Sequence, residues 1–341
     1  MTILLDDLSC KKDFFPFGQL KSVAHIRIGM LTILEKWQFY FGPHVLLKSE
    51  NPDLQKADFN ITANHVPSLS SLKKLVKEGV WKEDGTTLNN PADIFKNNDW
   101  ALRQDFAMIT EGKESETVDR EIKISGKENV FIEKGARLSF CTINGNSGPV
   151  YISRDSVVME GAMIRGPFFC GNNSVVKMGA KIYGATTLGP CCMAGGEIKN
   201  SVLMGYSNKA HDGYLGDSVL GEWCNLGAGT SNSNLKNNAS EVSVRFGKEV
   251  TSVRAGIKCG LIMGDYSRSA INTSFNTGSV VGVCSNIIQK TPEKFTDNFT
   301  WGNEPYELDK VIRDIHNWKK LKGFEITEEE ILSIKNLYNK S

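Results

Sequence analysis

The chain has 341 residues, with 40 Lys and Arg against 39 Asp and Glu, for a formal net charge of +1. That balance excludes a general electrostatic pull toward nucleic acid or an anionic membrane, while the length allows two domains and a substantial core. The opening MTILLDDLSC holds a three-residue apolar patch followed at once by acids, and no stretch approaches the roughly 18 apolar residues of a span, so a cytoplasmic protein without leader or membrane insertion is expected.

Residues 1–115 read as ordinary α/β. The apolar strand Ile3–Leu5 runs into Asp6 and Asp7, and Val23–Tyr40 has helical spacing in its second half through Ile33, Trp37 and Tyr40. Ser68–Lys77 predicts a short amphipathic helix capped by Ser68. Pro91–Phe106 predicts another, with Pro91 at its start and Ile94, Phe95, Trp100, Leu102 and Phe106 as its apolar residues.

The next region, 122–290, has a different period. Ile152, Val158, Ile164, Cys170, Val176, Ile182, Leu188 and Ala194 recur at every sixth residue. Four positions after each stands a second set, mostly small: Ser156, Ala162, Phe168, Ser174, Ala180, Thr186, Cys192 and Ile198. Six fits neither a helix nor an ordinary strand. It is the hexapeptide repeat of a parallel β-helix, in which the aliphatic residue fills the interior and the small one lets the chain turn.

Looser coils precede the run at Ile132 and Leu138. After Ala194 the register slips by two and resumes as Val202, Asn208, Tyr214, Leu220 and Leu226; it later returns as Ile257, Met263, Ser269, Phe275, Val281 and Ile287. Between them, Ser231–Ala255 carries Asn232, Asn234, Lys236, Arg245 and Arg254, too polar for coil positions, and is expected to leave the coil as a functional loop. Residues 291–341 close with a helix over Thr327–Tyr338 that starts in a capping box. It would cover the open end of the solenoid. The eight cysteines form no CxxC pair, and Cys170 and Cys192 hold repeat positions, so reduced structural thiols and no metal site are expected.

Polar residues are densest where the repeat slips, in 195–236. His211 suits a general base near neutral pH, with Asp212, Asp217 and Glu222 as candidate carboxylates to fix its tautomer. Lys199 and Lys209 are candidates to pair with a phosphate dianion. Glu197, Tyr214 and Asn225 are candidates to bond sugar hydroxyls. Gly227-Ala228-Gly229-Thr230 offers small residues and backbone amides along a coil edge, where an extended cofactor would lie.

The order Glu197-Ile198-Lys199, then Asn208-Lys209-Ala210-His211-Asp212-Gly213-Tyr214-Leu215-Gly216-Asp217, then Asn225-Leu226-Gly227-Ala228-Gly229-Thr230 and Asn234 resembles the left-handed β-helix acyltransferases. It resembles most the GlmU-like family, bifunctional N-acetylglucosamine-1-phosphate uridyltransferase/glucosamine-1-phosphate acetyltransferases. The segments 196–201 and 220–227, with Arg27–Ile33 and Glu35-Lys36-Trp37, resemble a Bacteroidetes-type branch with a short, degenerate N-terminal domain.

The resemblance implies a mainly β fold: a left-handed parallel β-helix (122–290), a small truncated nucleotidyltransferase-like α/β domain (1–115) and a C-terminal extension with a capping helix (291–341). It implies acetyl-CoA as co-substrate, a sugar phosphate or nucleotide sugar as acceptor, and a homotrimer with each site between neighbours, bridged by the 231–255 loop. His211 would be the base. Lys199, Tyr214 and Asn225 would hold the sugar phosphate, Ala228 and Asn234 would contact acetyl-CoA or the acceptor, and Lys177 would replace an arginine of the family. Amides near Gly227–Gly229 would stabilise the oxyanion.

Two other readings follow from the residues. Nucleotidyl transfer would need Mg2+, with Asp6 or Asp7 as ligand. Yet the first strand runs into 6–12 with no glycine before Gly18, whereas a phosphate loop needs glycines for close backbone approach. A non-catalytic trimeric scaffold is the third reading.

Overall fold

The six-residue period closes into a three-sided parallel solenoid. The computed structural model describes residues 1–54, 56–247 and 252–340. Among these, a nine-strand face runs from Val130–Ile132 to Phe295–Thr296, a ten-strand face from Arg137–Leu138 to Glu304–Pro305, and a six-strand face from Lys123–Ser125 to Tyr214–Gly216. Ile152 pairs with Cys170 and Cys170 with Leu188, giving coils of 18 residues. The predicted interior set from Ile152 to Ala194 is buried throughout, and so is the set four positions later. One corner is turned by single residues of left-handed backbone, Asp155, Asn173, Cys191, Tyr206, Trp223, Tyr266, Cys284 and Phe299, with φ between 51° and 61°. Of the eight cysteines, seven are buried and Cys191 is partly so.

The slip after Ala194 has a physical cause. Here the coils shorten: Ile182 pairs with Ile198, Leu188 with Leu203, and Ala194 with Lys209. The inward residues are therefore Leu203, Lys209 and Leu215, not the expected Val202, Asn208 and Tyr214. Asn208 and Tyr214 face outward, and Val202 is buried on the outer side. Lys209 is thus a core residue rather than a surface cation. Leu220, Leu226, Met263, Ser269, Phe275, Val281 and Ile287 take the positions expected of them. Ile257 does not; it is 56% exposed.

The expected excursion lies within a coil of 43 residues from Leu220 to Met263. It forms a short antiparallel pair, Ser243–Val244 with Val253–Arg254; its residues 248–251 lie outside the described ones. Val242, Val244, Phe246 and Ala255 are buried with Phe15, Phe17, Val202 and Val280, and the Arg245 guanidinium lies 4.7 Å from the Phe295 ring centre. This hairpin packs on its own chain where a bridging arm was expected, because its alternating apolar residues give it a face to bury. The Ser233–Glu241 end stays largely exposed.

The N-terminal region builds a parallel sheet of Val45–Leu47, Ile3–Asp6 and Phe59–Thr62 in that order. Around it lie α1 (Ile33–Phe41), α2 (Leu69–Glu78), α3 (Ala92–Lys96) and α4 (Asn98–Thr110). Thr32 and Glu35 close a capping box on α1, and Ser68 caps α2 as expected. The expected helix over Pro91–Phe106 is broken at Asn97, whose side chain donates to the Asp93 carbonyl at 2.8 Å.

This region covers the outer side of the nine-strand face, with Met30 and Leu102 against Tyr151, Phe169 and Ala185. Asn98 donates to the Ala185 carbonyl at 2.8 Å, Thr187 to the Gly29 carbonyl at 2.8 Å, and Arg27 to the Met204 carbonyl at 3.0 Å. Asp105 accepts the Met30 amide and the Lys36 ammonium, a fully buried ion pair. The Arg27–Ile33 segment is thus a docking element.

At the C-terminus, α5 (Leu308–Leu321) was not anticipated; α6 (Glu328–Tyr338) has the expected capping box. Both lie along the solenoid's flank instead of over its end. Val311, Ile315 and Ile334 pack on the corner residues Trp223, Tyr266 and Cys284, and Lys322 donates to the carbonyls of Cys191 and Tyr206, each at 2.8 Å. The apolar corner ladder gave these helices a surface that the end of the solenoid does not offer. No described helix is long and apolar enough to cross a membrane.

Candidate functional site

The predicted site residues fall into two groups. The first lies on the six-strand face, where Lys181, Glu197 and Tyr214 align in one row and Tyr183, Lys199 and Gly216 in the next. Neighbouring strands are about 4.8 Å apart, so side chains of a row meet. The Tyr183 hydroxyl donates to Glu197 Oε1 at 2.6 Å, and the Lys199 ammonium lies 5.8 Å from the Tyr183 ring centre. That hydrogen bond to a carboxylate, followed by burial, pushes the Tyr183 phenol up to about 12.

Tyr214 turns across Gly216: a Cβ there would stand 2.2 Å from its hydroxyl. The hydroxyl accepts the Asn234 amide at 3.1 Å. Burial, then the Asp217 charge, pushes this phenol too up to about 12. Asp217 is buried and accepts the side-chain amides of Asn200, at 2.7 Å, and Asn234. The Asn234 carbonyl accepts from the Cys259 amide at 2.9 Å, so this residue ties both ends of the excursion to the coil.

The second group is the corner between the ten- and six-strand faces. His211 stands exposed in the turn 210–213, and its imidazole makes no hydrogen bond among the described residues. None of the three expected carboxylates orients it. Asp217 is engaged as above, Glu222 pairs with Lys21, and the exposed Asp212 side chain makes no hydrogen bond to it. Glycines flank the corner on both adjacent coils: a Cβ on Gly196 would stand 2.8 Å from the His211 carbonyl. On the following coil, the Gly227 and Gly229 amides are engaged by Ser269 and Asp212 at 3.1 Å. The amide of Ala228 has no partner among the described residues. It is the one donor left of the three expected.

Lys209 does not reach outward to a phosphate. Its ammonium donates to the carbonyls of His211, Asp212 and Gly195, and burial lowers its pKa to about 8. Lys177 sits at the His211 corner, two coils back. The residue that pairs with Lys199 one coil back is Tyr183. Asn225 emerges from the ten-strand face, where its side chain accepts from Asn208 at 3.2 Å. Lys199 and Asn225 therefore leave different faces of one chain. Tyr183 and Gly216 are contributors that sequence reasoning missed, and Asp217 serves Asn200 and Asn234 where it was expected to serve His211; their sign was the strand pairing, which coils of unequal length conceal.

Residues 2–79 match a family described as sugar nucleotidyl transferase. The bifunctional protein GlmU of Methanococcus maripaludis is 33% identical over 254 residues, covering 67% of this chain and 52% of that protein. A bifunctional sugar-1-phosphate nucleotidylyltransferase/acetyltransferase of Sulfurisphaera tokodaii is 30% identical over 240 residues, covering 70% and 52%. The chain is similar to GlmU proteins over about two thirds of its own length and spans about half the length of the curated relatives it matches. A crystal structure of UDP-N-acetylglucosamine acyltransferase is similar at 15% identity and a TM-score of 0.26, covering 61% of this chain and 80% of that one.

Proposed function

We propose that the solenoid is an acetyl-CoA-dependent acyltransferase acting on an amino-sugar phosphate of the glucosamine-1-phosphate kind, or on a nucleotide sugar. The observation that carries this reading is the pairing, on successive coils, of a solvent-facing imidazole at His211 with a backbone amide at Ala228 that has no partner among the described residues. The relatives named as bifunctional nucleotidyl- and acetyltransferases support it.

In this mechanism His211 takes a proton from the acceptor ammonium, and the freed amine attacks the thioester carbonyl. The imidazolium passes this first proton to solvent; as the N–C bond forms, the neutral imidazole takes the second N–H proton of the attacking nitrogen and delivers it to the thiolate when the C–S bond breaks. The Ala228 amide is placed to stabilise the oxyanion. Lys199 pairs with the acceptor phosphate, Glu197, Tyr214 and Asn225 bond its polar groups, and Asn234 positions Tyr214 while contacting acetyl-CoA or the acceptor. Lys177, on the His211 corner, is a further candidate for the phosphate. Because Lys199 and Asn225 leave different faces, a site using both is completed by a neighbouring copy, consistent with a homotrimer. Release of CoA thiol from acetyl-CoA with glucosamine-1-phosphate tests the reading. No acceptor-dependent thiol release with either an amino-sugar phosphate or a nucleotide sugar refutes it.

The family match over residues 2–79 favours nucleotidyl transfer as a second reading for the N-terminal region. Its carboxylates do not fit a Mg2+ clamp. Asp7 is buried and accepts the Ser49 amide and hydroxyl at 3.0 and 2.6 Å. Asp6 caps the Leu8 and Ser9 amides and pairs with Lys48 at 2.9 Å. Pyrophosphate release from UTP and a sugar-1-phosphate is the direct test.

A further inference from the structure

The inward row of the ten-strand face reads Val158, Val176, Ala194, Lys209, Leu226, Ser269 and Ile287. One member is a cation. Lys209 is 1% exposed, with its stem beside Ala194, whose small side chain leaves it room. No carboxylate lies within ion-pair distance of it among the described residues. A buried charge without a counter-ion is costly, and an aliphatic residue would fill the same space.

What the ammonium gains is three carbonyl partners for its three N–H donors. It donates to His211, to Asp212 at 3.3 Å and to Gly195 at 3.4 Å. Two of these carbonyls belong to the corner that carries His211, and the third to the corner beneath it. The short coil explains the need. From Ala194 to Ile198 the chain takes four residues to round the corner, whereas from Lys209 to Leu215 it takes six. The longer turn stacks on the shorter one, and among the described residues the His211 carbonyl finds no amide on the coil below. A buried carbonyl needs a donor. Lys209 supplies it from inside the solenoid.

We propose that Lys209 is a positioning residue: from the core, its ammonium holds the carbonyls of the 210–213 turn inward and so presents the His211 imidazole outward to the acceptor. This rests on the acyltransferase reading for its catalytic consequence, but the ordering of the turn is independent of it.

The test compares the full-length protein with Lys209→Met, which keeps the stem and removes the donors, and with Lys209→Gln, which restores an N–H donor. Hydrogen exchange is followed at Glu197, whose amide bonds the Gly213 carbonyl, and at Gly229, whose amide bonds the Asp212 carbonyl. In Lys209→Met, exchange at these two amides is expected to rise by about tenfold or more, with the amides of Val157 and Val175 unchanged and Lys209→Gln intermediate. In the acetyl-transfer assay, kcat is expected to fall on the order of 100-fold with KM for both substrates unchanged.

Unchanged exchange at Glu197 and Gly229 overturns the proposal. So does a rise spread evenly over the solenoid, or loss of the fold in both variants, either of which makes Lys209 a packing residue. A fall in kcat matched by a rise in both KM values does the same. If the wild-type protein transfers no acetyl group, the acyltransferase reading fails alone, and the exchange data still decide whether Lys209 orders the turn.

Discussion

The Tyr183 hydroxyl reaches the Glu197 carboxylate at 2.6 Å from the preceding coil, while its ring lies beneath the Lys199 ammonium. One aromatic side chain thereby touches both members of the Glu-x-Lys segment. Removing its hydroxyl with Tyr183→Phe is expected to free Glu197 and raise KM for the sugar substrate several-fold, with kcat little changed. Because both groups are partly exposed, stability should change by less than about 1.5 kcal/mol. Steady-state kinetics with urea denaturation checks both; an unchanged KM removes Glu197 orientation from the binding account.

His211→Ala should remove most acetyl transfer, a loss on the order of 100- to 10,000-fold in turnover. The side chain is exposed and makes no hydrogen bond among the described residues, so the melting temperature should stay within a degree or two. Near-wild-type acetylation by the variant refutes the base assignment.

At the N-terminal region, Asp105→Ala leaves the buried Lys36 ammonium unpaired and the Met30 amide without its acceptor. Breaking a buried ion pair from one side costs about 3–5 kcal/mol. The fluorescence of buried Trp37 should report an unfolding transition at lower urea, and a midpoint equal to that of the wild type contradicts the interpretation.

Lys209 also makes a pH prediction. Burial lowers its pKa in the folded chain to about 8, below the ordinary lysine value of 10.5. Between these values the unfolded chain holds a proton that the folded chain has released, so folding stability rises with pH across that window and loses the gain as pH falls to 8. The gain amounts to about 3 kcal/mol. The difference in unfolding free energy between wild type and Lys209→Met isolates it, since the other lysines cancel. A difference that is flat from pH 7.5 to 10.5 contradicts it.

The regular run from Ile152 to Ala194 was legible because each interior residue there obeys one fixed interval, and burial leaves it little choice but aliphatic or small. The motif residues Glu197, Lys199, His211 and Tyr214 were legible as residue types in order. Their faces were not. Coils of 15 to 17 residues around the slip move the inward positions by one, and a one-residue shift turns every side chain to the other side. That is why Lys209 read as a surface cation and Tyr214 as an interior residue. Helix α5 was legible in principle, since Leu308, Val311, Ile312, Ile315 and Trp318 recur at helical spacing; what the sequence does not display is the flank it buries against, which exists only once the coils have stacked.

In a stack whose coils touch only their neighbours, unwinding enters from the two ends. The N-terminal region grips this stack near its middle, at Ala185, Thr187 and Met204. Those three points act as a splint across the coil that carries Glu197 and Lys199 and next to the one that carries His211. Fraying from either terminus meets the splint before it reaches them. The chain can therefore shed order at its outermost coils and still keep the backbone beneath these residues in register.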